Sequence, residues 1–204
     1  MFDPKSHWEN IYREKKPTEV SWYQKNPERS LKLILENSPY KDARVIDVGA
    51  GASLLVDRLL EQGFTNVSVL DISGKALELS KQRLGPQAGR ANWIVENVTS
   101  FSPQGKYDLW HDRAVFHFLT EKADRDKYVA CASQAITNGG YLILAAFAKD
   151  GPNMCSNLNV RQYDAELVRE EFGTDFEWVK EEEETHQTPW GKDQKFRHFV
   201  LRKK

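Results

Sequence analysis

The sequence predicts an α/β fold in which a largely parallel sheet carries helices on both faces. From Arg44 onwards, short apolar runs rich in β-branched residues alternate with segments whose leucines recur at helical spacing. This alternation is typical of parallel strands joined by right-handed helical crossovers. Near the C-terminus, two strand-like runs at residues 176–185 and 194–202 are instead joined by a turn that contains Pro189 and Gly191. Such a turn signals a hairpin, so the sheet is expected to end in an antiparallel pair.

The individual elements can be placed in chain order. Strands are predicted at residues 44–48, 67–70, 92–95, 107–110 and 141–147. Helices are predicted after the first strand, where four leucines form one stripe, and at residues 75–84 and 122–137. Glycine is the residue that most often ends a helix, and Gly63, Gly85 and the pair Gly139-Gly140 stand where these helices should stop.

The first 40 residues have a different composition, and we call them the N-terminal arm. Their ring-bearing side chains include His7, Trp8, Tyr12, Trp22 and Tyr23. An apolar spacing that begins after Pro27 predicts one amphipathic helix here. The arm is expected to lie over the rest of the fold, where its rings either cover a bound ligand and exclude water or pack against the outer helices.

Composition narrows the classes of partner. The chain has 204 residues, with 29 Lys and Arg against 30 Asp and Glu, so no basic surplus draws it to nucleic acid or to a membrane surface. No apolar stretch approaches the roughly 18 residues that a membrane helix needs. Two cysteines are too few for a disulfide framework, and the five histidines lack metal-ligand spacing. We therefore expect a cytoplasmic protein without a bound metal.

The most informative segment follows the first strand. Gly49-Ala50-Gly51 forms a turn in which glycine permits a tight bend and a close approach of the backbone to a ligand. Ser53 is expected to cap the next helix. Leu54 stands where a dinucleotide-binding fingerprint has its third glycine, which disfavours a pyrophosphate and favours a nucleoside without phosphates. A glycine turn with a purely structural role remains the alternative.

Two carboxylates strengthen the ligand-binding interpretation. Asp47 lies in the first strand just before the glycine turn, and Asp71 ends the second strand. Ligands bind beyond the carboxyl ends of the strands in sheets of this kind, and an acid at the end of the second strand can accept hydrogen bonds from ribose hydroxyls. These residues together predict a nucleoside site.

At this point the chain resembles the class I S-adenosylmethionine-dependent methyltransferases. The resemblance rests on ordered motifs: Val-Ile-Asp-Val-Gly-Ala-Gly at 45–51, Val-Leu-Asp at 69–71, Glu-Asn-Val at 96–98, Tyr-Asp-Leu-Trp at 107–110 and Gly-Gly-Tyr-Leu-Ile-Leu at 139–144. It implies a Rossmann-like, seven-stranded mixed sheet of order 3-2-1-4-5-7-6 with strand 7 antiparallel. It also implies a single methyltransferase domain over residues 1–204, with the arm at 1–40 and the core at 41–204.

The resemblance implies S-adenosyl-L-methionine as the cofactor and a set of residues that hold it. Gly49 to Gly51 would border the methionine part, Asp71 the ribose, and Ile72 the adenine. Asn97 would accept from the adenine amino group through its side-chain carbonyl. The expected cofactor-binding residues are Trp22, Asp47, Gly49, Ala50, Gly51, Ser53, Asp71, Ile72, Asn97, Val98, His111 and Arg113.

The candidate catalytic residues, His111 and Asp112, follow the fourth strand. His111 is interpreted as a base or a contact to the methionine part, with a hydrogen-bonded loop residue as the alternative. Asp112 and Arg113 could instead form an internal salt bridge. The expected substrate contacts are Tyr23, Phe116, Cys155, His186 and Trp190.

The methyl acceptor stays open at this level. A nitrogen, oxygen or sulfur atom of a small molecule is the first hypothesis. A protein lysine is the second, because the His-Trp-Glu-Asn-Ile-Tyr segment of the arm resembles the entry segment of some protein-lysine methyltransferases. A non-catalytic cofactor-binding module or an NAD-dependent oxidoreductase would be the alternatives of another class. The oligomeric state is not indicated by any pattern.

Overall fold

A computed structural model describes residues 2–38 and 40–204, and it has one seven-stranded mixed sheet at its centre. The strands of this sheet are Arg44–Val48 (β1), Asn66–Asp71 (β2), Ala91–Val95 (β3), Tyr107–Arg113 (β4), Ile136–Phe147 (β5), Phe176–Gln187 (β8) and Asp193–Lys203 (β9). Met154–Cys155 (β6) and Leu158–Asn159 (β7) pair separately as a short ribbon.

The sheet order is β3-β2-β1-β4-β5-β9-β8. Strands β1 to β5 pair in parallel, and β9 is antiparallel to both β5 and β8. With the ribbon set aside, this is the order expected from the sequence, and the Rossmann-like fold class is confirmed. The parallel strands therefore end at one edge, which positions the residues that follow them.

Helices cover both faces of the sheet. They are Pro4–Glu14 (α1), Glu28–Asn37 (α2), Leu55–Glu61 (α3), Gly74–Leu84 (α4), Lys122–Ala135 (α5) and Ala165–Phe172 (α6). On one face, apolar side chains of α2 and α3 pack against Val45, Val69 and Ile143. On the other, α5 and α6 pack against Ile46 and Trp110. Successive strand residues serve opposite layers because their side chains alternate between the two faces.

The pair Gly139-Gly140 has a role other than the predicted one. Helix α5 ends at Ala135, and Gly139 and Gly140 lie inside β5, within an irregularity of its pairing with β4. Gly139 has a φ of 78°, and a Cβ on Gly140 would lie 2.9 Å from the carbonyl oxygen of Asp108. The glycines therefore permit a bulge within a strand. In the sequence alone, the same pair of glycines is equally compatible with the end of a helix.

Three elements were not predicted as such, namely α1, α6 and the ribbon. Helix α1 has clear signals, since Asp3 accepts a hydrogen bond from the Lys5 N–H (3.1 Å) and Pro4 occupies the first position. Its side chains are mostly polar, so the apolar periodicity that identifies the core helices is weak there. No helix among residues 2–38 and 40–204 combines the length and apolar character that a bilayer crossing requires.

Candidate active site

A cavity of about 460 Å³ lies at the edge where the parallel strands end. Its lining includes residues at or directly after the ends of β1, β2, β3, β4 and β5. One end, which we call the Asp71 end, is formed by Leu70, Asp71, Ile72, Asn97, Val98 and Thr99. The other, the Arg113 end, is formed by Arg113, Phe118, Phe147, Cys155 and Phe196.

The carboxylate of Asp71 is buried and held by the backbone. Its two oxygens accept hydrogen bonds from the N–H groups of Gly51 and Ser73, both at 2.8 Å. Burial raises the pKa of Asp71 to about 6, although both backbone hydrogen bonds act in the opposite direction. A carboxylate offers about four acceptor positions, so capacity remains for two hydroxyls of a ribose. The geometry of Asp71 therefore fits its expected role as the carboxylate that binds the ribose.

The glycine turn has the predicted backbone conformation, but protein side chains lie where a close approach of a ligand was expected. Gly49 and Gly51 have φ values of 61° and 57°, which favour glycine. A Cβ on Gly49 would overlap the Val115 side chain, and one on Gly51 would overlap the Tyr12 hydroxyl. Gly49 lines the cavity, whereas Gly51 lies beneath Tyr12. The close approach at Gly51 is thus made by the N-terminal arm.

Helix α3 begins one residue later than the sequence suggests. Leu54 occupies the capping position, and the Ser53 hydroxyl accepts a hydrogen bond from the Leu55 N–H at 3.1 Å. Ser53 therefore satisfies one of the N–H groups that a helix start leaves unpaired, which is the function expected of it.

Asn97 is oriented differently from the expectation. Its side-chain oxygen accepts two hydrogen bonds from Thr99, from the backbone N–H and from the hydroxyl, both at 3.0 Å. An amide oxygen has two lone pairs, so the carbonyl of Asn97 is already occupied, and the NH₂ group is the part left to meet a ligand. Ile72 and Val98 supply apolar surface beside it.

His111 lies outside the main cavity. Its Nδ1 is 2.7 Å from a carboxylate oxygen of Asp47, and its Nε2 is 2.9 Å from the hydroxyl of Ser30 on α2. All three side chains are buried. They border a second cavity of only about 50 Å³, with Ala50 and Tyr23. This Ser30–His111–Asp47 chain joins α2 to the sheet, in agreement with the alternative of a hydrogen-bonded residue.

Asp112 is not at the site, because neighbouring residues of a strand face opposite sides of the sheet. Its carboxylate is fully buried and accepts hydrogen bonds from the N–H groups of Val115 (2.9 Å) and Phe116 (3.1 Å) and from the Tyr128 hydroxyl (2.6 Å). Burial raises its pKa to about 6. Asp112 thus secures the turn after β4, away from the cavity where a catalytic role was expected, and it makes no salt bridge with Arg113, the alternative considered for it, among the residues that the structure describes.

Of the expected substrate contacts, only Cys155 lines the main cavity. Phe116 is fully buried among aromatic residues of the core, and Trp190 is 58% exposed at the tip of the β8–β9 hairpin. His186 is buried, with its Nε2 2.7 Å from the carbonyl oxygen of Ser21. The hairpin does reach the ligand edge as predicted, but Phe196 is the side chain that it places in the cavity.

Sequence reasoning missed most of the aromatic wall at the Arg113 end. Phe147 is the last residue of β5, and its pairing partner in the neighbouring strand β9 is Phe196. The position of Phe147 at a strand end was a usable signal. The sequence gives no comparable signal for the pairing of Phe147 with Phe196, because that pairing depends on the register of a hairpin nearly 50 residues away.

The N-terminal arm forms one wall of the cavity. Trp8 lies edge-on to Trp22 and Phe118, with ring centroids 5.7 Å and 5.1 Å apart. Glu9 accepts a hydrogen bond from the Lys75 N–H at 3.3 Å, which fastens α1 to the start of α4. Phe2, Pro4 and Tyr12 also face the cavity. The rings of the arm therefore both line the cavity and pack against Ala76 and Leu79 of α4, so both expected arrangements occur.

Within residues 2–38 and 40–204, no group of three or more His, Cys, Asp or Glu side chains could hold a metal ion. The chemistry available at this edge comes from carboxylates, aromatic rings and one arginine.

Comparison with known proteins agrees with this geometry. A family model described as "Methyltransferase domain" matches residues 46–142. The chain is 31% identical over 101 residues to malonyl-[acyl-carrier protein] O-methyltransferase 1 of Ilyobacter polytropus, a match covering 48% of this chain and 37% of that protein. It is 22% identical to EEF1A lysine methyltransferase 2 of Mus musculus, over 70% of this chain and 64% of that one. The chain thus spans less than two thirds of these curated relatives.

The fold is shared with solved methyltransferases. The N-methyltransferase NodS of Bradyrhizobium japonicum, solved with S-adenosyl-L-homocysteine, superposes with a TM-score of 0.74 at 16% identity over 97% of this chain and 98% of that one. A methyltransferase domain thus spans residues 46–142, just under half of the chain, and the whole chain has the fold of solved S-adenosylmethionine-dependent methyltransferases. The cofactor of this domain is S-adenosyl-L-methionine, and the Asp71 end of the cavity carries residues that fit its nucleoside.

Proposed function

We propose that the protein transfers the methyl group of S-adenosyl-L-methionine to a nitrogen, oxygen or sulfur atom of a small molecule. The observation that supports this most is the continuity of the cavity. A single space runs from Asp71, which suits a ribose, to an aromatic end that is walled by the N-terminal arm. One compartment can thus hold a nucleoside and a second small molecule in contact.

Different residues of the chain would contact different parts of the cofactor. Asp71 would accept hydrogen bonds from the ribose hydroxyls, Ile72 and Val98 would contact the faces of the adenine, and the NH₂ group of Asn97 would donate to its edge. The turn at Gly49 and the small cavity beside Ala50 border the methionine part. Bound there, the cofactor supplies an electrophilic methyl carbon on a cationic sulfur.

Catalysis by this arrangement depends on alignment. The bound cofactor would supply a methyl carbon to a lone pair of the acceptor, with the electrons of the broken carbon–sulfur bond left on sulfur and any proton of the acceptor released to solvent. Holding the two reactants in line can supply up to about 7–11 kcal/mol of the barrier. Trp8, Trp22 and Phe118 exclude water from the reacting atoms. Neither His111 nor Asp112 borders the main cavity, so neither takes a proton from the acceptor directly.

A small acceptor suits the enclosure. The volume of about 460 Å³ lies within the range of sites for small ligands. Phe2, Pro4 and Trp8 of the N-terminal arm line the same cavity and reduce the space through which a bulky acceptor would enter. The relatives include both acceptor classes by name, so the test must separate them.

The test uses cofactor labelled in its methyl group. The purified protein is incubated with this cofactor and a cell extract, and the products are divided into a small-molecule and a protein fraction. We expect label in the small-molecule fraction with the native protein and none with Asp71→Ala. Label in protein bands would instead support lysine methylation. Tight binding of S-adenosyl-L-homocysteine with no label in either fraction would indicate a non-catalytic binding module.

A further inference from the structure

The Arg113 side chain is buried at the end of the cavity opposite Asp71 and is incompletely paired. It is only 10% exposed. Its Nη1 donates to the carbonyl oxygen of Trp22 at 3.2 Å. Its Nε and Nη2 have no hydrogen-bond partner among residues 2–38 and 40–204. Burying guanidinium N–H groups without acceptors is costly, so this arrangement points to an acceptor that a ligand supplies.

The two free nitrogens are the pair that matters for recognition. Nε and Nη2 lie along one edge of the planar guanidinium and present parallel N–H groups, the fork that binds a carboxylate in a bidentate manner. A point charge would not need this geometry. The free edge of Arg113 is therefore matched to a planar oxyanion.

The nearest carboxylate of the protein does not fill this role. An oxygen of Glu184 lies 3.8 Å from the Arg113 Nε, which is too far for a hydrogen bond. Glu184 is already engaged, since one oxygen accepts from Gln24 and the other is 2.9 Å from the Nε2 of His198. Burial lowers the pKa of Arg113, but a guanidinium starts so far above neutrality that it keeps its charge.

The Arg113 side chain borders both the main cavity and the small cavity beside Ala50. Its guanidinium carbon lies 4.5 Å from the ring centroid of Phe196 on β9. In the sheet order, β9 lies two places from β4 and three from β1, which places it about 14 Å from the strand that carries the glycine turn. Cys155 and Phe147, which share this end of the cavity, belong to β6 and β5. The guanidinium therefore lies against Phe196, at the far end of the main cavity from Asp71.

We propose that Arg113 binds a carboxylate of the methyl acceptor, so that the substrate is a small organic acid with an apolar or aromatic body. The proposal rests on the function proposed above and names its substrate class. Phe118, Phe147 and Phe196 receive the apolar body, while the guanidinium fixes the orientation. A lysine side chain is unsuited to this end, because its ammonium group would meet a buried cation of the same sign. Arg113 is thereby assigned to the acceptor rather than to the cofactor.

The experiment measures binding of probe acids to the protein loaded with S-adenosyl-L-homocysteine. Calorimetry compares benzoate, phenylacetate and indole-3-acetate with their primary amides, which have the same shape and no charge. The variants are Arg113→Gln, Arg113→Lys and, as a matched control, Arg197→Gln. Arg197 neighbours Phe196 but pairs on the surface with Glu181 and Glu183 and does not line the cavity.

We expect at least one acid to bind the native protein ten times more tightly than its amide. Arg113→Gln should abolish that preference and leave the affinity for S-adenosyl-L-homocysteine within about twofold, which also shows that the variant is folded. Arg113→Lys should keep a partial preference, since the charge remains without the fork. Arg197→Gln should behave as the native protein.

Two results would overturn the proposal. In one, no acid is preferred over its amide by the native protein. In the other, Arg113→Gln weakens S-adenosyl-L-homocysteine at least tenfold and leaves 5′-methylthioadenosine, which lacks the amino-acid part, unaffected. That outcome would assign Arg113 to the cofactor's own carboxylate. If the native protein fails to bind S-adenosyl-L-homocysteine at all, the proposed function fails, and the acids titrated alone still report on Arg113.

Discussion

The two ends of the cavity differ in how they are built. The Asp71 end consists of the end of β2 and the turns after β2 and β3, and its carboxylate is held by the backbone N–H groups of Gly51 and Ser73. The Arg113 end draws one side chain each from the end of β4, the turn after β4, the end of β5, the ribbon and β9. The first end is a local structure, and the second is assembled from distant parts of the chain.

Under the proposed function, this difference separates cofactor binding from acceptor choice. A site made of strand ends and adjoining turns keeps its shape as long as the sheet exists. A site made of side chains from five segments can change one contact at a time without disturbing the sheet. The same fold can therefore keep one cofactor and take different acceptors, as the varied names of the relatives suggest.

The largest effect is expected from a residue that belongs to neither end. Phe116 is fully buried and stacks near Tyr128, Tyr163 and Phe172, with ring centroids 4.8, 5.2 and 5.0 Å apart. Phe116→Ala should lower the free energy of unfolding by about 3–5 kcal/mol through the cavity it leaves. Urea unfolding measures this.

Trp190→Ala is the control for that experiment, because the Trp190 ring is mostly exposed. It should change the free energy of unfolding by less than about 0.5 kcal/mol. If Phe116→Ala proved as mild as Trp190→Ala and instead altered acceptor binding, the division between core and Arg113 end drawn above would be wrong.

The next effect tests the Asp71 end. Asp71→Ala removes a charged acceptor of ribose hydrogen bonds, and it should weaken S-adenosyl-L-homocysteine by about 1.5–3 kcal/mol. Calorimetry should therefore show a loss of about tenfold to 150-fold. Asp108→Ala removes a carboxylate paired with Arg44 at the opposite edge of the sheet and should leave the affinity unchanged. An equal loss in both variants would mean that the effect is one of general stability.

The smallest effect is the pH dependence of cofactor binding. Because the pKa of Asp71 is raised to about 6 from 3.8, the folded protein holds the extra proton between these values. The contribution of Asp71 to stability therefore falls as the pH rises through that window. The affinity for the cofactor changes in the opposite direction and rises with pH, because both ribose hydroxyls donate to the ionised carboxylate. Affinity for S-adenosyl-L-homocysteine should fall about tenfold from pH 7 to pH 5. Asp71→Asn should flatten the profile, and an unchanged slope would exclude Asp71 as its source.

The same contrast explains what the sequence could predict. The individual parallel strands, the glycine turn and the position of Asp71 at a strand end depend on local patterns, and they were predicted correctly. The sheet order involves the whole chain; it was implied by the family resemblance and is confirmed. Asp112 was misplaced because a strand end alone does not say which face a side chain takes. Phe196 was not predicted, and Tyr12 was expected only as one of several rings of the arm, because their positions depend on how the hairpin and the arm return to the sheet.

The position of Tyr12 has a consequence for turnover. Its hydroxyl rests where a Cβ of Gly51 would be, and its ring is buried under α1. A nucleoside would pass between Tyr12 and Gly51 only if α1 lifted from the glycine turn. Amide hydrogen exchange within residues 4–14 should slow on adding S-adenosyl-L-homocysteine, while exchange in β1 stays constant. Equal protection of both segments would show that the helix does not act as a gate.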